Sequence, residues 1–381
     1  MQTLFLKRLD RKIGGFLTRI LKPSCLTTDM VYMPPSSILL IRPGGIGDAV
    51  HLIPTISAIK STYPDAAIDI LAEKRNSAVF NLSHHVRHVF HYDKPLELFR
   101  ALRTTYDVVI DTEQWHRLSA VVARMTRAPV SIGFATNERA RLFTHAIAYS
   151  QDDCEIDSFY RLLAPLGIAR AEVPALFLAV PPKAAEKANM LLEGGGGRAF
   201  VTLFPGASIP ERRWGAEKFR NLADMLAAVG LAVVVVGGGE DQEQGEMIVA
   251  GGTGLNLAGR TSLSETAAVI QKSALLVSGD SGVLHIAVGL GVPTVSLFGP
   301  GRARKWAPQG ERHLVLNKKL PCSPCTTFGT TPPCPIAAKC MADITVDEVG
   351  NAVTVLLTAT GGLPSFCCKK EWLEGAGRPK P

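Results

Sequence analysis

The chain has 381 residues, which at about 150 residues per domain is long enough for two or three domains, each with its own core. Hydrophobic residues at 46% against 20% charged exclude a disordered chain, and the 35 glycines and 25 prolines form no collagen-like or linker-like repeat. The net charge of +7 would suit a polyanion if it were spread over the body, but Lys7, Arg8, Arg11, Lys12, Arg19 and Lys22 stand against Asp10 alone in residues 1–22. The remainder is nearly neutral, so a nucleic-acid partner is not expected.

Leu6, Leu9, Ile13, Phe16, Leu17, Ile20 and Leu21 recur at three- and four-residue spacing with the basic residues between them, which predicts an amphipathic helix. Two placements stay open for it. It packs on the body with its charges in water, or it lies on an anionic leaflet and gains about 1 kcal/mol per basic residue near the surface. Arg11, Lys12 and Arg19 interrupt any apolar signal core, so no secretory signal is read here and the chain is expected in the cytoplasm. The longest uncharged apolar run, Met225 to Gly239, is broken at Gly230 and falls short of the roughly 20 residues that span a bilayer. The eight cysteines are then expected as thiols or metal ligands rather than disulfides.

After Pro34-Pro35, Ile38 to Ile41 is an apolar run without alternation, as expected of a parallel strand covered on both faces. A glycine turn and a helix to Lys60 follow, then a strand from Ala67 to Leu71, another from Val108 to Asp111, a helix from Leu118 to Met125 and a strand from Pro129 to Gly133. Pro174, Pro181, Pro182 and the glycine run from Gly194 mark an interdomain linker around residues 171–198. A second series begins at Phe200 to Phe204, with strands Leu231 to Val236, Ala274 to Ser278 and Thr294 to Phe298, and helices Glu217 to Val229, Leu263 to Gln271 and Ser281 to Gly289 between them. The expected fold class is α/β: two doubly wound Rossmann-like domains facing a cleft, behind an N-terminal amphipathic helix. The expected divisions are residues 1–35 (helix and linker), 36–180, 181–358 and a polar tail, 359–381.

Gly44, Gly45 and Gly47 sit between strand and helix, directly before and around Asp48. No Gly-Lys-Ser/Thr follows, and Val50 stands in place of the third glycine of a dinucleotide fingerprint, so neither motif is present. Asp48 either caps the helix or, held ionised by its N–H groups with a substrate close to the glycines, accepts a proton from an alcohol. In the second half Ser278-Gly-Asp-Ser-Gly282 occupies the equivalent turn with small neutral residues at the helix start. The N–H groups of Ser281, Gly282 and Val283 there suit a diphosphate, with the Ser281 hydroxyl as a further donor. His285 lies one turn on, as a core histidine or a group facing the cleft. Arg212 and Arg213, beyond the first strand of this half, fit a phosphate clamp or a solvated loop. Glu240 or Asp241, after Gly237-Gly-Gly239, fits the two hydroxyls of a ribose or an ordinary helix cap. Cys322, Cys325, Cys334 and Cys340 are zinc-like in number but irregular in spacing, and a loop of buried or redox-pairing thiols fits them as well. Cys367-Cys368, beside Lys369-Lys370, suggests a second membrane or interaction contact.

Taken in order, Ile41-Arg-Pro-Gly-Gly-Ile-Gly-Asp-Ala-Val50, Phe204-Pro-Gly-Ala-Ser208 with Arg213-Trp214, Val235-Val-Gly-Gly238, Gly279-Asp-Ser-Gly-Val-Leu-His285, Phe298-Gly-Pro300 and Cys340-Met341 resemble glycosyltransferase family 9, the lipopolysaccharide heptosyltransferases. The resemblance runs from about residue 37 to 357. It implies a GT-B fold, catalysis without a metal or other cofactor, and inverting transfer of heptose from ADP-heptose to a lipid-anchored glycan of the lipopolysaccharide core. By position, it implies Asp48 as general base and Ser281-Gly282 as the pair whose backbone meets the donor phosphates, while Asp280 and His285 keep the family's residues. Arg212 stands where these enzymes often have a phosphate-binding lysine, and Glu240 or Asp241 falls near a ribose-binding glutamate. With a lipid acceptor, the N-terminal helix suggests peripheral contact with the anionic inner leaflet, on the cytoplasmic face of the inner membrane. The alternatives are transfer of another nucleotide-activated sugar to a surface glycan, a non-enzymatic nucleotide- or glycan-binding module, or a redox protein using the cysteines.

Overall fold

The structure is a computed structural model and describes residues 10–24, 34–193, 199–252 and 254–361. Lys7, Arg8, the glycine run at 194–197 and Cys367-Cys368 lie outside the described residues.

Each half is built on a six-stranded parallel sheet. The first holds β1 (Ser37–Arg42), β2 (Ala67–Ala72), β3 (His88–His91), β4 (Val108–Asp111), β5 (Val130–Phe134) and β6 (His145–Ile147), in the order β3-β2-β1-β4-β5-β6. The second holds β7 (Phe200–Phe204), β8 (Ala232–Val235), β9 (Gly254–Asn256), β10 (Leu275–Gly279), β11 (Thr294–Phe298) and β12 (His313–Asn317), in the order β12-β11-β10-β7-β8-β9. The second order is the first one read from the other edge, so both halves are wound alike. Leu40 at the centre of β1 faces Ile70 on one side and Ile110 on the other, and Ile38 to Ile41 are fully buried. That burial is why these strands read as unbroken apolar runs.

In each sheet the winding direction reverses once, between β1 and β4 and between β7 and β10. Loops leaving adjacent strands there diverge to opposite faces and open a crevice at the carboxyl edge, the place where ligands enter such sheets. The Ile46–Thr62 helix follows β1 and the Gly282–Gly289 helix follows β10, and the two pack against each other across the halves. Nine residues of the first are buried, consistent with a helix covered by both its own sheet and the opposite half.

The chain between the halves is a packed strap. Phe177 and Leu178 donate backbone N–H groups to the Gly289 carbonyl at 2.9 and 3.0 Å, and Ala179 donates to the Leu82 carbonyl at 2.9 Å. Leu178 lies where a side chain on Gly289 would collide with it. At the N-terminus, a π-helical stretch (Asp10–Gly14) runs into the Gly15–Ile20 helix. Asp10 Oδ1 accepts from the N–H groups of Arg117 and Leu118, at 2.7 and 2.8 Å, and so caps the Arg117–Met125 helix. Leu17 and Leu21 pack on the core of the first half, while Ile13, Phe16 and Ile20 stay exposed at 45%, 63% and 59%.

Candidate functional site

β1 ends at Arg42, whose guanidinium is buried and tied down on all sides. Its Nε donates to the Pro43 carbonyl and its Nη1 to the Thr112 carbonyl, both at 2.8 Å, and its Nη2 lies 3.1 Å from Glu113 Oε2. Burial works against the cation, yet Asp48, Glu113, Glu155 and Asp111 together raise its pKa. The turn passes through Gly44 at φ +117°, backbone that a side chain rarely adopts, and the helix begins at Ile46.

Asp48 lies in the first turn, and here the structure corrects the sequence reading. Among the described residues no backbone N–H holds its carboxylate, and the helix start has no side-chain cap. Asp48 Oδ1 instead accepts from Gln114 Nε2 at 3.1 Å, with Arg42 Nη1 at 3.9 Å. Oδ2 points along Gly45, where a Cβ would come within 2.9 Å of it. Gly45 therefore keeps the approach to that oxygen open. The Asp48 side chain retains 23% of its exposure.

In the second half, Ser281 caps the Gly282–Gly289 helix by accepting from the Leu284 N–H at 3.2 Å. Ser278 Oγ donates to the Gly279 carbonyl and lies 2.8 Å from Ser281 Oγ, so the Ser281 hydroxyl proton is directed at Ser278. The hydroxyl expected to serve a phosphate is thus already used in the loop. The first-turn amides of Gly282 and Val283 have no carbonyl one turn earlier to bond and remain the donors of this helix start. Buried Asp280 pairs with Arg212 through Nη1 at 3.0 Å, while Arg212 Nε is buried with no partner. Burial raises the Asp280 pKa against the pull of Arg212, and the charge of Asp48 adds to the rise.

The two glycine loops meet face to face. A Cβ on Gly282 would stand 2.6 Å from Ile46 Cβ and 3.1 Å from the Gly47 nitrogen, and one on Gly47 would stand 2.8 Å from the His285 ring. His285 is neither a core histidine bonded to backbone nor open to the cleft. Its Nδ1 lies 2.9 Å from Nε2 of His51, one turn beyond Asp48, and Trp306 stacks on the His51 ring at 5.6 Å. Burial lowers both imidazoles, His285 well below the usual range with His51 contributing, and His51 to about 3 with Lys305 contributing.

Glu240 and Asp241 differ in what they are free to do. Asp241 is buried, accepts from the Gly238 N–H at 2.9 Å and fills the space beside Gly206 and Gly237, which fixes the turn. Glu240 is exposed at the end of β8. Arg213 faces away from the Asp280 pair, donating to the Ala207 carbonyl at 3.2 and 3.0 Å. Cys322, Cys325, Cys334 and Cys340 line one cavity of about 20 Å³. Among the described residues no three His, Cys, Asp or Glu side chains stand where they could hold a metal ion, so the geometry does not support the zinc reading.

Sequence reasoning missed several side chains at this junction. Gln114 and Glu113 follow β4, across the switch from β1, and Glu155 lies beneath them, fully buried. Lys305 reaches Glu155 from the other half at 2.6 Å. Trp115, half exposed, stacks on Phe328 of the cysteine loop with ring centres 4.3 Å apart.

The family model described as glycosyltransferase family 9 (heptosyltransferase) matches residues 96–334. Lipopolysaccharide heptosyltransferase 3 of Escherichia coli is 26% identical over 287 residues, 69% of this chain and 83% of that protein. Lipooligosaccharide heptosyltransferase 2 of Haemophilus influenzae is 27% identical over 311 residues, 74% of this chain and 88% of that protein. The solved structure of ADP-heptose LPS heptosyltransferase II of E. coli superposes with a TM-score of 0.70 at 22% identity, over 85% of this chain and 99% of that one.

Proposed function

Since the chain belongs to glycosyltransferase family 9, we propose that it moves heptose from ADP-heptose to a sugar of the lipopolysaccharide core in a single inverting displacement. The observation that carries the reading is the meeting of a partly open carboxylate, Asp48, with a neutral helix start bearing the Gly282 and Val283 amides, each at the switch point of its own sheet.

The acceptor hydroxyl approaches beside Gly45, and Asp48 Oδ2 takes its proton as the oxygen attacks C1 of the donor sugar. Oδ1 stays engaged with Gln114, which fixes which oxygen acts. The bond from C1 to the diphosphate breaks on the opposite face. The charge it leaves is met by the Gly282 and Val283 amides, the positive end of their helix and the Arg212 guanidinium, whose Nη1 is engaged by Asp280. Asp280 thereby holds Arg212 in place. Glu240 takes the ribose hydroxyls, because Asp241 is committed to its turn.

The acceptor of such an enzyme is anchored in lipid, and the outer stripe of Ile13, Phe16 and Ile20, flanked by Lys12, Arg19 and Lys22, suits peripheral contact with an anionic leaflet. Among the described residues no helix is long and apolar enough to cross a membrane. Replacing the three apolar residues by serine should lower sedimentation with vesicles containing phosphatidylglycerol and leave ADP binding intact. Equal sedimentation would return the helix to a purely packing role.

The reaction itself is tested by mass spectrometry of a heptose-deficient core acceptor incubated with the protein and ADP-heptose, GDP-mannose or UDP-glucose. A mass gain of one heptose with ADP-heptose alone is expected. Gain only with another donor would favour transfer of a different sugar, and no gain with any would favour a binding module.

A further inference from the structure

We propose that Lys305 and Glu155 form a latch between the two halves that positions Gln114 on the Asp48 carboxylate, so that the orientation of the base depends on the halves being in contact. The inference rests on Asp48 as the base and adds three positioning residues to that reading.

Lys305 belongs to the second half, on the short Ala303–Trp306 helix that follows β11, and is only 4% exposed. The three acceptors of its ammonium all belong to the first half. Nζ lies 2.6 Å from Glu155 Oε2 and donates to the carbonyls of Ser150 and Asp153 at 3.2 Å each. Three acceptors use the three protons of the ammonium, so Lys305 is fully committed across the boundary. The adjacent Trp306 stacks on His51, in the helix that carries Asp48.

Glu155 passes this contact on. Its Oε2 also accepts from the Tyr149 hydroxyl at 3.1 Å, and its Oε1 accepts a short hydrogen bond from Gln114 Nε2. The same nitrogen donates to Asp48 Oδ1 at 3.1 Å, while Gln114 Oε1 faces Arg42 Nη2 at 3.4 Å. An amide nitrogen has two protons, and here each goes to a carboxylate. Flipping the amide would set its oxygen against both anions and its nitrogen against the guanidinium. Gln114 therefore has one orientation, which reserves Oδ1 and leaves Oδ2 for the substrate. Burial raises the Glu155 pKa, and Lys305 works against the rise. Removing Lys305 would leave a buried carboxyl free to protonate and to release the amide.

Three full-length variants and an Asp48→Asn control test this, each measured for kcat, acceptor KM, ADP Kd and Tm. Gln114→Met leaves the ion pair untouched, and it should lower kcat about 10- to 100-fold, the loss expected when a reacting group is misplaced by about 1 Å, with ADP Kd unchanged. Lys305→Met should lower both kcat and Tm. Adding Glu155→Met removes the stranded carboxyl and should restore Tm without restoring kcat, because Gln114 still lacks its second anchor. A Gln114→Met enzyme with unaltered kcat, or a double variant that regains kcat together with Tm, would overturn the latch. Full turnover in Asp48→Asn would instead overturn the base assignment beneath it.

Discussion

His51 Nε2 lies 2.9 Å from His285 Nδ1, which joins the helix after β1 to the helix after β10 through two buried rings. One ring must donate and the other accept, so the contact requires an unprotonated nitrogen. Burial is the main cause that lowers both pKa values, His51 from 6.5 to about 3. In the unfolded chain the rings take up protons near 6.5, so the stabilisation is complete above that pH and is lost as pH falls from about 6.5 toward about 3. Calorimetry should show Tm falling steadily across that range, with a shallower slope in His51→Gln. Identical slopes in the two proteins would remove the pair as the cause.

Asp48→Asn keeps the shape of the side chain and its contact with Gln114 but cannot accept a proton at neutral pH. Transfer should fall by about 100-fold or more while ADP binding stays the same, as expected for loss of a general base. The pair of measurements is a radiolabelled heptose transfer assay and ADP titration by calorimetry. Unchanged turnover would exclude Asp48 as the base.

Ser281→Asp separates helix capping from donor binding. Aspartate is as good an N-cap as serine, so the Gly282–Gly289 helix should form and Tm should hold. Its charge, set where a diphosphate is read to dock, should weaken ADP binding by at least about tenfold. Equal affinity would move the phosphates elsewhere.

Gly282→Val probes the contact between the two glycine loops. Its Cβ would fall 2.6 Å from Ile46 Cβ and 3.1 Å from the Gly47 nitrogen, and the backbone cannot swing aside as a long side chain can. Overpacking of this kind costs about 1–3 kcal/mol, so a lower Tm and a loss of transfer are expected together. Wild-type values of both would mean that the halves do not meet there.

The apolar runs of β1, β4, β7, β10 and β11 and the helices between them were legible because both signals, burial on two faces and a 3.6-residue period, lie within a few neighbouring residues. The edge strands were not. β3 (His88–His91), β6 (His145–Ile147), β9 (Gly254–Asn256) and β12 (His313–Asn317) are short and partly exposed, so only pairing with a formed neighbour makes them strands. The helices Pro95–Arg103, Glu155–Arg161, Gln242–Val249 and Val346–Thr360 likewise lie outside the elements expected from the sequence.

The candidate site divides in the same way. Asp48, Arg212 and the Asp280–His285 stretch stand out as candidates in the sequence because glycine turns at strand ends mark where a backbone can approach a ligand, and that signal is local. The sequence by itself determined the two wound halves and the residues on each facing edge. It could not show what holds those residues, since Gln114 meets Asp48 across 66 positions and His51 meets His285 across 234. Only the tertiary structure decided that Asp48 is held by an amide and a guanidinium rather than by its own helix, and that Lys305 completes the arrangement from the other half. Such contacts leave no periodicity in the chain, because they depend on how two separately formed sheets, with the helices that follow β1 and β10, are brought together.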